Sequence, residues 1–222
     1  MSPFAAVERL DDEAWRDLAA LAATRGQFVL FRDTIPAPPP AWGELTRGAG
    51  HQLVLAASGL RRVPPVATVE LTEEDAPDML ALVAATEPGP FLPRTPTMGR
   101  YFGHRHDGQL VAMAGERLRP EGWTEISAVC TDPSFRGRGL AAALTQHVAD
   151  GILARGEVPF LHVATDNVTA QRVYERLGFE RRRTVHYVLL APPAEPEQPS
   201  ASSSPARANR PSGELAPGPS IP

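Results

Sequence analysis

Between Gly99 and Ala154 the chain strings three extended runs together with turn signals and then breaks into a helix, an order that few folds can accommodate. "GRYFGHRHDGQLVAMAGERL" (99–118) holds two extended runs around the hairpin signal Asp107-Gly108, and "GWTEISAVCT" (122–131) is a third run behind Gly122. The three predict an antiparallel meander. After it, Leu140, Leu144, Val148 and Ile152 recur at i+4 spacing, which predicts a helix over 140–154 with one apolar face. "PFLHVA" (159–164) reads as a buried-type strand, Asn167 to Leu177 as a helix closed by Gly178, and 179–190 as further strands. The class is α/β, with a mixed central sheet flanked by helices.

Outside this block the signals are weaker. Glu8 to Ala23 predicts a moderately amphipathic helix, and "QFVLFR" and "HQLVLAA" (51–57) predict short strands. "PAPPPAW" lies between those two strands, and "LRRVPP" (60–65) reads as a boundary because paired prolines continue neither a helix nor a strand. From Val66, "VATVEL" predicts a strand, Thr72 caps a helix over 73–85, and "TEPGPFLPRTP" a turn-rich loop. Three segments are therefore expected: an N-terminal accessory region over 1–65, the main domain over 66–190, and a tail over 191–222. Pro, Ser, Ala and Gly dominate that tail, with too little apolar surface to offset the entropy of ordering it.

Composition removes several classes of function. The formal charge is −4 and no basic tract is dense enough to track phosphates, which argues against a nucleic-acid binder. No run of about eighteen apolar residues and no basic-then-apolar leader is present, so no membrane contact and a cytoplasmic location are expected. Cys130 is the one cysteine, which excludes an intramolecular disulfide and a multi-cysteine metal site; no metal is expected.

The chemistry concentrates at "FRGRGLAAAL" (135–144). A helix start carries unpaired N–H groups and the positive end of the helix dipole, and an acidic or hydroxyl residue is the usual neighbour. Here Arg136 and Arg138 stand there instead, interleaved with Gly137 and Gly139. The glycines let the backbone approach a ligand closely and the arginines add charge, so the corner is suited to an external anion. Gly137-Arg138-Gly139-Leu140-Ala141-Ala142 also fits the G-x-G-x-x-A dinucleotide pattern, which keeps a dinucleotide-binding protein open as an alternative.

"EISAVCTDPSFRGRGLAAAL" followed by "NVTAQRVYERLGF" resembles the GCN5-related N-acetyltransferases, the GNAT family. The resemblance covers about residues 66–190, with Arg136, Gly139 and Ala141 matching the defining positions of the pyrophosphate-binding motif. It implies acetyl-CoA as acyl donor, its diphosphate held by Arg136, Gly137, Arg138, Gly139, Leu140, Ala141 and Ala142. It also implies that Val129, Cys130 and Thr131 lie on a strand that splays from its parallel neighbour and offers backbone groups to pantetheine. Asn167 resembles a side-chain contact to the cofactor. Tyr174 matches the residue that returns a proton to the leaving thiolate.

An amine nucleophile must lose a proton, and the general base is open between two residues. Glu125 stands where the histone acetyltransferases of the family carry a catalytic Glu. His162 occupies the next strand, where the ribosomal-protein acetyltransferases carry a Glu; Glu116 is a weaker choice. "ERRR" (180–183) reads as a solvated face, and Cys130 as a small core residue. The implied activity is transfer of an acetyl group to a primary amine, on a small molecule or a peptide or protein, by direct attack in a ternary complex. A non-catalytic acyl-CoA-binding or regulatory module is the competing class. Oligomeric state, including a homodimer, is open.

Overall fold

The structure is a computed structural model and describes residues 3–56 and 58–193. Its strands are β1 (Phe4–Ala5), β2 (Phe28–Arg32), β3 (Gly43–Leu55), β4 (Val69–Leu71), β5 (Tyr101–His106), β6 (Gln109–Glu116), β7 (Trp123–Thr131), β8 (Val158–Ala164) and β9 (Phe179–Ala191). The helices are α1 (Asp12–Arg25), α2 (Ala76–Thr86), α3 (Leu140–Ala154) and α4 (Val168–Leu177). All nine strands form one mixed sheet in the order β1-β2-β9-β3-β8-β7-β6-β5-β4. The expected meander is β5-β6-β7, turned at Asp107 and Gly108, both of which have positive φ.

Helix α3 and helix α4 cover one face of the sheet, where Leu140, Leu144, Val148, Ile152, Tyr174 and Leu177 pack with Ile126, Leu161, Leu53 and Phe179. Helix α2 covers the other face through Met79 and Leu82, which meet Met113, Tyr101 and Cys130. Helix α1 packs Trp15 and Leu18 against Phe28, Leu30, Val188 and Leu190 at the far end. It starts at the Asp11 cap, whose carboxylate accepts from the Ala14 N–H, so it lies later than the expected 8–23. No helix among the described residues is long and apolar enough to cross a membrane.

The sheet does not respect the boundary expected at residue 65. Strand β3 lies between β8 and β9 and pairs antiparallel with both, so the first third of the chain supplies an interior strand of the main domain. It is also longer than the 51–57 run suggested, because "GELTRGAG" ahead of it is glycine-rich and reads poorly as a strand; pairing with β9 carries it. One of those glycines is a packing requirement: a side chain at Gly48 would collide with the Tyr187 ring. The strands expected over 179–190 are one continuous strand, β9. Only 69–71 of "VATVEL" is paired, and the tail beyond residue 193 lies outside the described residues.

Candidate active site

The site begins where β7 leaves β8. The two strands pair in parallel from Trp123 with Val158 to Ile126 with Leu161, and there the pairing stops. The cause is local to β7: its register with β6 shifts between Met113 and Gly115, and Ala128 holds a positive φ of 54°. Two residues of β7 thus oppose one of β6, a bulge that bends the strand away from β8. The Asp132 N–H donates to the Val111 carbonyl, and main-chain groups alternate sides along a strand. Cys130 therefore faces β6, while Val129 and Thr131 present N–H and C=O to the opened edge. The buried Oγ1 of Thr131 has no hydrogen-bond partner, an unpaired polar atom on the same stretch.

Past β7, the Asp132 carboxylate accepts from the N–H and hydroxyl of Ser134 and fixes a short turn over Pro133–Phe135. Gly137 (φ 77°) and Gly139 (φ 79°) then swing the chain into α3. A Cβ at either glycine would meet nothing within 4 Å, so positive φ and not packing demands them inside the protein. Helix α3 has no side-chain cap and no acidic residue in its first turn, which leaves the N–H groups from Leu140 through Ala142 directed outward. Arg136 and Arg138 are exposed beside them; Arg136 Nε lies 3.4 Å from the Thr131 carbonyl oxygen and Arg138 stacks 4.6 Å from the Phe135 ring centre. The corner has the makings of an anion site: unpaired N–H groups, the positive end of the helix dipole and two exposed guanidinium groups lie together.

Tyr174 comes to the same face from α4, buried between α3 and Phe179. Burial, with a smaller contribution from nearby Cys130, pushes its hydroxyl above the ordinary tyrosine range, so it holds its proton. Asn167 caps α4, its Oδ1 accepting from the Ala170 N–H at 3.0 Å, and this local role employs the oxygen. Cys130 points to the opposite face, toward α2. Burial pushes its thiol up to about 11, against hydrogen bonding with Thr86 and the Met113 backbone, which makes it a poor nucleophile.

The two residues between which the sequence left the base open are joined in one network. Ile126 and Leu161 face α3, so their neighbours Glu125 and His162 point to the α2 side of the sheet. Glu125 is fully buried and accepts two hydrogen bonds from Arg117, at 2.9 and 2.8 Å. His162 Nδ1 lies 2.7 Å from Glu125 Oε1. Burial opposes ionisation of Glu125, but the bonds from Arg117 and His162 outweigh it and hold the carboxyl down at about 2. A carboxylate so weakly basic and so fully engaged orients its neighbour better than it takes up a proton. His162 is partly accessible, at 17% of its side chain. Glu116 faces away, paired with Arg155 at 2.9 Å.

Sequence reasoning missed Arg117 and Gln52. Arg117 carried a readable signal, since opposite charges at 117 and 125 flank the turn before Gly122 and come opposite each other across the hairpin. Gln52 carried none: it meets His162 across 110 positions of sequence, at 3.2 Å. The "ERRR" run is exposed, as it reads, and from that face Arg182 and Arg183 both donate to Gln52 Oε1.

Comparison with known proteins gives a consistent result. A family model described as FR47-like protein matches residues 101–188. A solved GNAT-family structure from Novosphingobium aromaticivorans is 41% identical, with a TM-score of 0.78, covering 86% of this chain and 84% of that one. Among curated proteins, N-alpha-acetyltransferase RimI of Mycobacterium tuberculosis is 39% identical over 84 residues, which is 36% of this chain and 52% of the relative. A mycothiol acetyltransferase of Mycolicibacterium gilvum is 36% identical over 92 residues, 38% of this chain and 30% of the relative. The chain thus spans about half or less of the curated relatives it matches.

Proposed function

This chain belongs to the GCN5-related N-acetyltransferase family, and from that membership we propose that it transfers an acetyl group from acetyl-CoA to a primary amine. The observation that carries the reading is the parting of β7 from β8 beside the uncapped start of α3. Acetyl-CoA supplies the acetyl group already activated as a thioester. The residues present fit it: open space at Gly137 and Gly139 admits a diphosphate, and the unpaired Thr131 Oγ1 and free edge of Val129 suit the amides of pantetheine. Arg136 and Arg138 neutralise the diphosphate, and the Val129 N–H polarises the thioester carbonyl.

His162 takes the ammonium proton of the acceptor at Nε2, with Glu125 holding Nδ1–H and stabilising the imidazolium that forms. Tyr174 gives its phenolic proton to the leaving sulfur. Donor and acceptor meet directly, because the unreactive Cys130 thiol offers no covalent relay. The direct test is release of thiol from acetyl-CoA across a panel of amines, with a peptide α-amine included on account of the RimI likeness. Acceptor-dependent release supports the reading, whereas acetyl-CoA binding with no turnover on any amine favours a regulatory module. His162→Gln should slow transfer by about 10²-fold or more and flatten the acid limb of the rate profile. A full-length acid limb in that variant returns the base role to solvent.

Binding has its own expected result. Arg136→Ala should weaken CoA by roughly 1–3 kcal/mol, as for a charge-assisted hydrogen bond, and Gly139→Val should weaken it further by denying the positive φ. Calorimetry reads both. CoA affinity unchanged in the pair, or tight binding of NAD in its place, would remove the diphosphate from this corner.

A further inference from the structure

Donor and acceptor counting through the network around His162 leads to a residue from the N-terminal third of the chain. Arginine side chains only donate hydrogen bonds. Arg182 Nη1 reaches Gln52 Oε1 at 2.9 Å and Arg183 Nε reaches the same oxygen at 3.3 Å, so that oxygen is the amide's accepting atom. Both arginines reach it because the β3–β9 register shifts between Gln52 and Leu53, setting consecutive residues of β9 opposite one of β3. Arg183 is anchored in turn by Asp33, at 3.0 Å. The Gln52 Nε2 group must therefore be the one that faces His162 Nε2, at 3.2 Å. An NH2 group can only donate, so His162 Nε2 carries a lone pair and Nδ1 carries the proton given to Glu125.

We propose that Gln52, oriented by Arg182 and Arg183, is a positioning residue that keeps His162 Nε2 unprotonated and ready to receive a proton. The inference rests on the reading of His162 as general base. When the acceptor's R–NH3⁺ passes a proton to Nε2, the amine nitrogen recovers its lone pair and the imidazolium Nε2–H then faces the Gln52 NH2, donor against donor. The long bond from Gln52 gives way at this moment, while the two arginines prevent the amide from turning its oxygen to the ring. The charged groups around the ring are Glu125 on β7 with Arg117 behind it, Arg182 and Arg183 on β9, and Asp33 after β2. Phe31 and Phe160, the aromatic neighbours at 5.4 and 5.8 Å, bring no charge.

The test uses the full chain labelled with ¹⁵N-histidine, the His162 signals being assigned by their loss in His162→Gln. Long-range ¹H–¹⁵N spectra of the wild type should show protonated Nδ1 and unprotonated Nε2 at neutral pH. Gln52→Glu, nearly isosteric, places an accepting carboxylate at Nε2 and should carry the imidazolium form about one pH unit higher. Arg182→Met frees the amide to turn and should shift it the same way by less. If the acid limb of the acetylation rate moves with the spectra, positioning and base role stand together. If the spectra move and the limb does not, Gln52 still positions the ring and the base reading fails. A wild-type ring protonated at Nε2, or spectra unmoved by both variants, overturns the proposal.

Discussion

Tyr174→Phe is expected to lower turnover by about 10²- to 10⁴-fold while leaving CoA affinity nearly unchanged. The substitution removes the hydroxyl and keeps the ring, which packs between α3 and Phe179, so the core of this face should survive. Burial keeps the hydroxyl protonated well above neutral pH, so the proton is present to be given, while the same burial opposes the phenolate that its transfer leaves. Loss of the donor should therefore appear in kcat and kcat/KM alike, and be least severe for thioesters whose thiols are more acidic. Stopped-flow measurement of thiol release under single turnover isolates this step. Undiminished chemistry there would leave Tyr174 with a packing role alone.

The second large effect is on stability. Arg117→Met should cost roughly 3–5 kcal/mol at pH 7, because it strands the carboxylate of Glu125, fully buried, without its bidentate partner. For a chain of this size that corresponds to a drop in Tm on the order of 10 °C. Phe4 adds to the loss, since the Arg117 guanidinium sits 4.5 Å from its ring centre. The double variant Arg117→Met/Glu125→Gln should recover much of the loss, because the neutral amide still accepts from His162 Nδ1–H. Thermal melts of the two variants measure the difference, and equal stability of wild type and Arg117→Met would contradict the buried charge pair.

Glu125 has a folded-state pKa depressed to about 2 from an ordinary 4.5, so its ionised form is the one the fold stabilises. The contribution is complete above about pH 4.5 and is lost as pH falls from there toward 2. Acid titration of the wild type against Glu125→Gln should show this loss in the first and not in the second.

Much of the candidate site's local structure was legible in the chain because its parts are close in sequence. The Arg136 to Ala142 corner is set by a glycine pair and a helix start that adjoin in sequence, and Asp107-Gly108 fixes the hairpin that precedes it. The apolar i+4 repeat of α3 and the Gly178 closure of α4 are likewise short-range, so Tyr174 could be placed on a helix face from spacing alone. The bulge at Ala128 was not legible in this way, because alanine has no preference for positive φ and the neighbouring pairing imposes it. Which of Glu125 and His162 bears which role was beyond the sequence for a related reason. Their residue types are compatible with either assignment, and only the approach of Arg117 from β6's end and Gln52 from β3 distinguishes a fully buried, doubly bonded carboxylate from a partly accessible imidazole.

The sequence by itself determined the class of sheet, the β5-β6-β7 meander, the helices α3 and α4 and the glycine-arginine corner between them and the sheet, since hydrophobic period, turn chemistry and helix ends are written within a few residues of one another. The tertiary structure decided that β3, read as part of an accessory region, is an interior strand between β8 and β9. Strand pairing is a contact between distant segments whose backbone groups are chemically alike, so no local pattern names the partner. The same pairing carries Gln52 to His162, and the proton arrangement of the candidate base is thus a property of the assembled sheet.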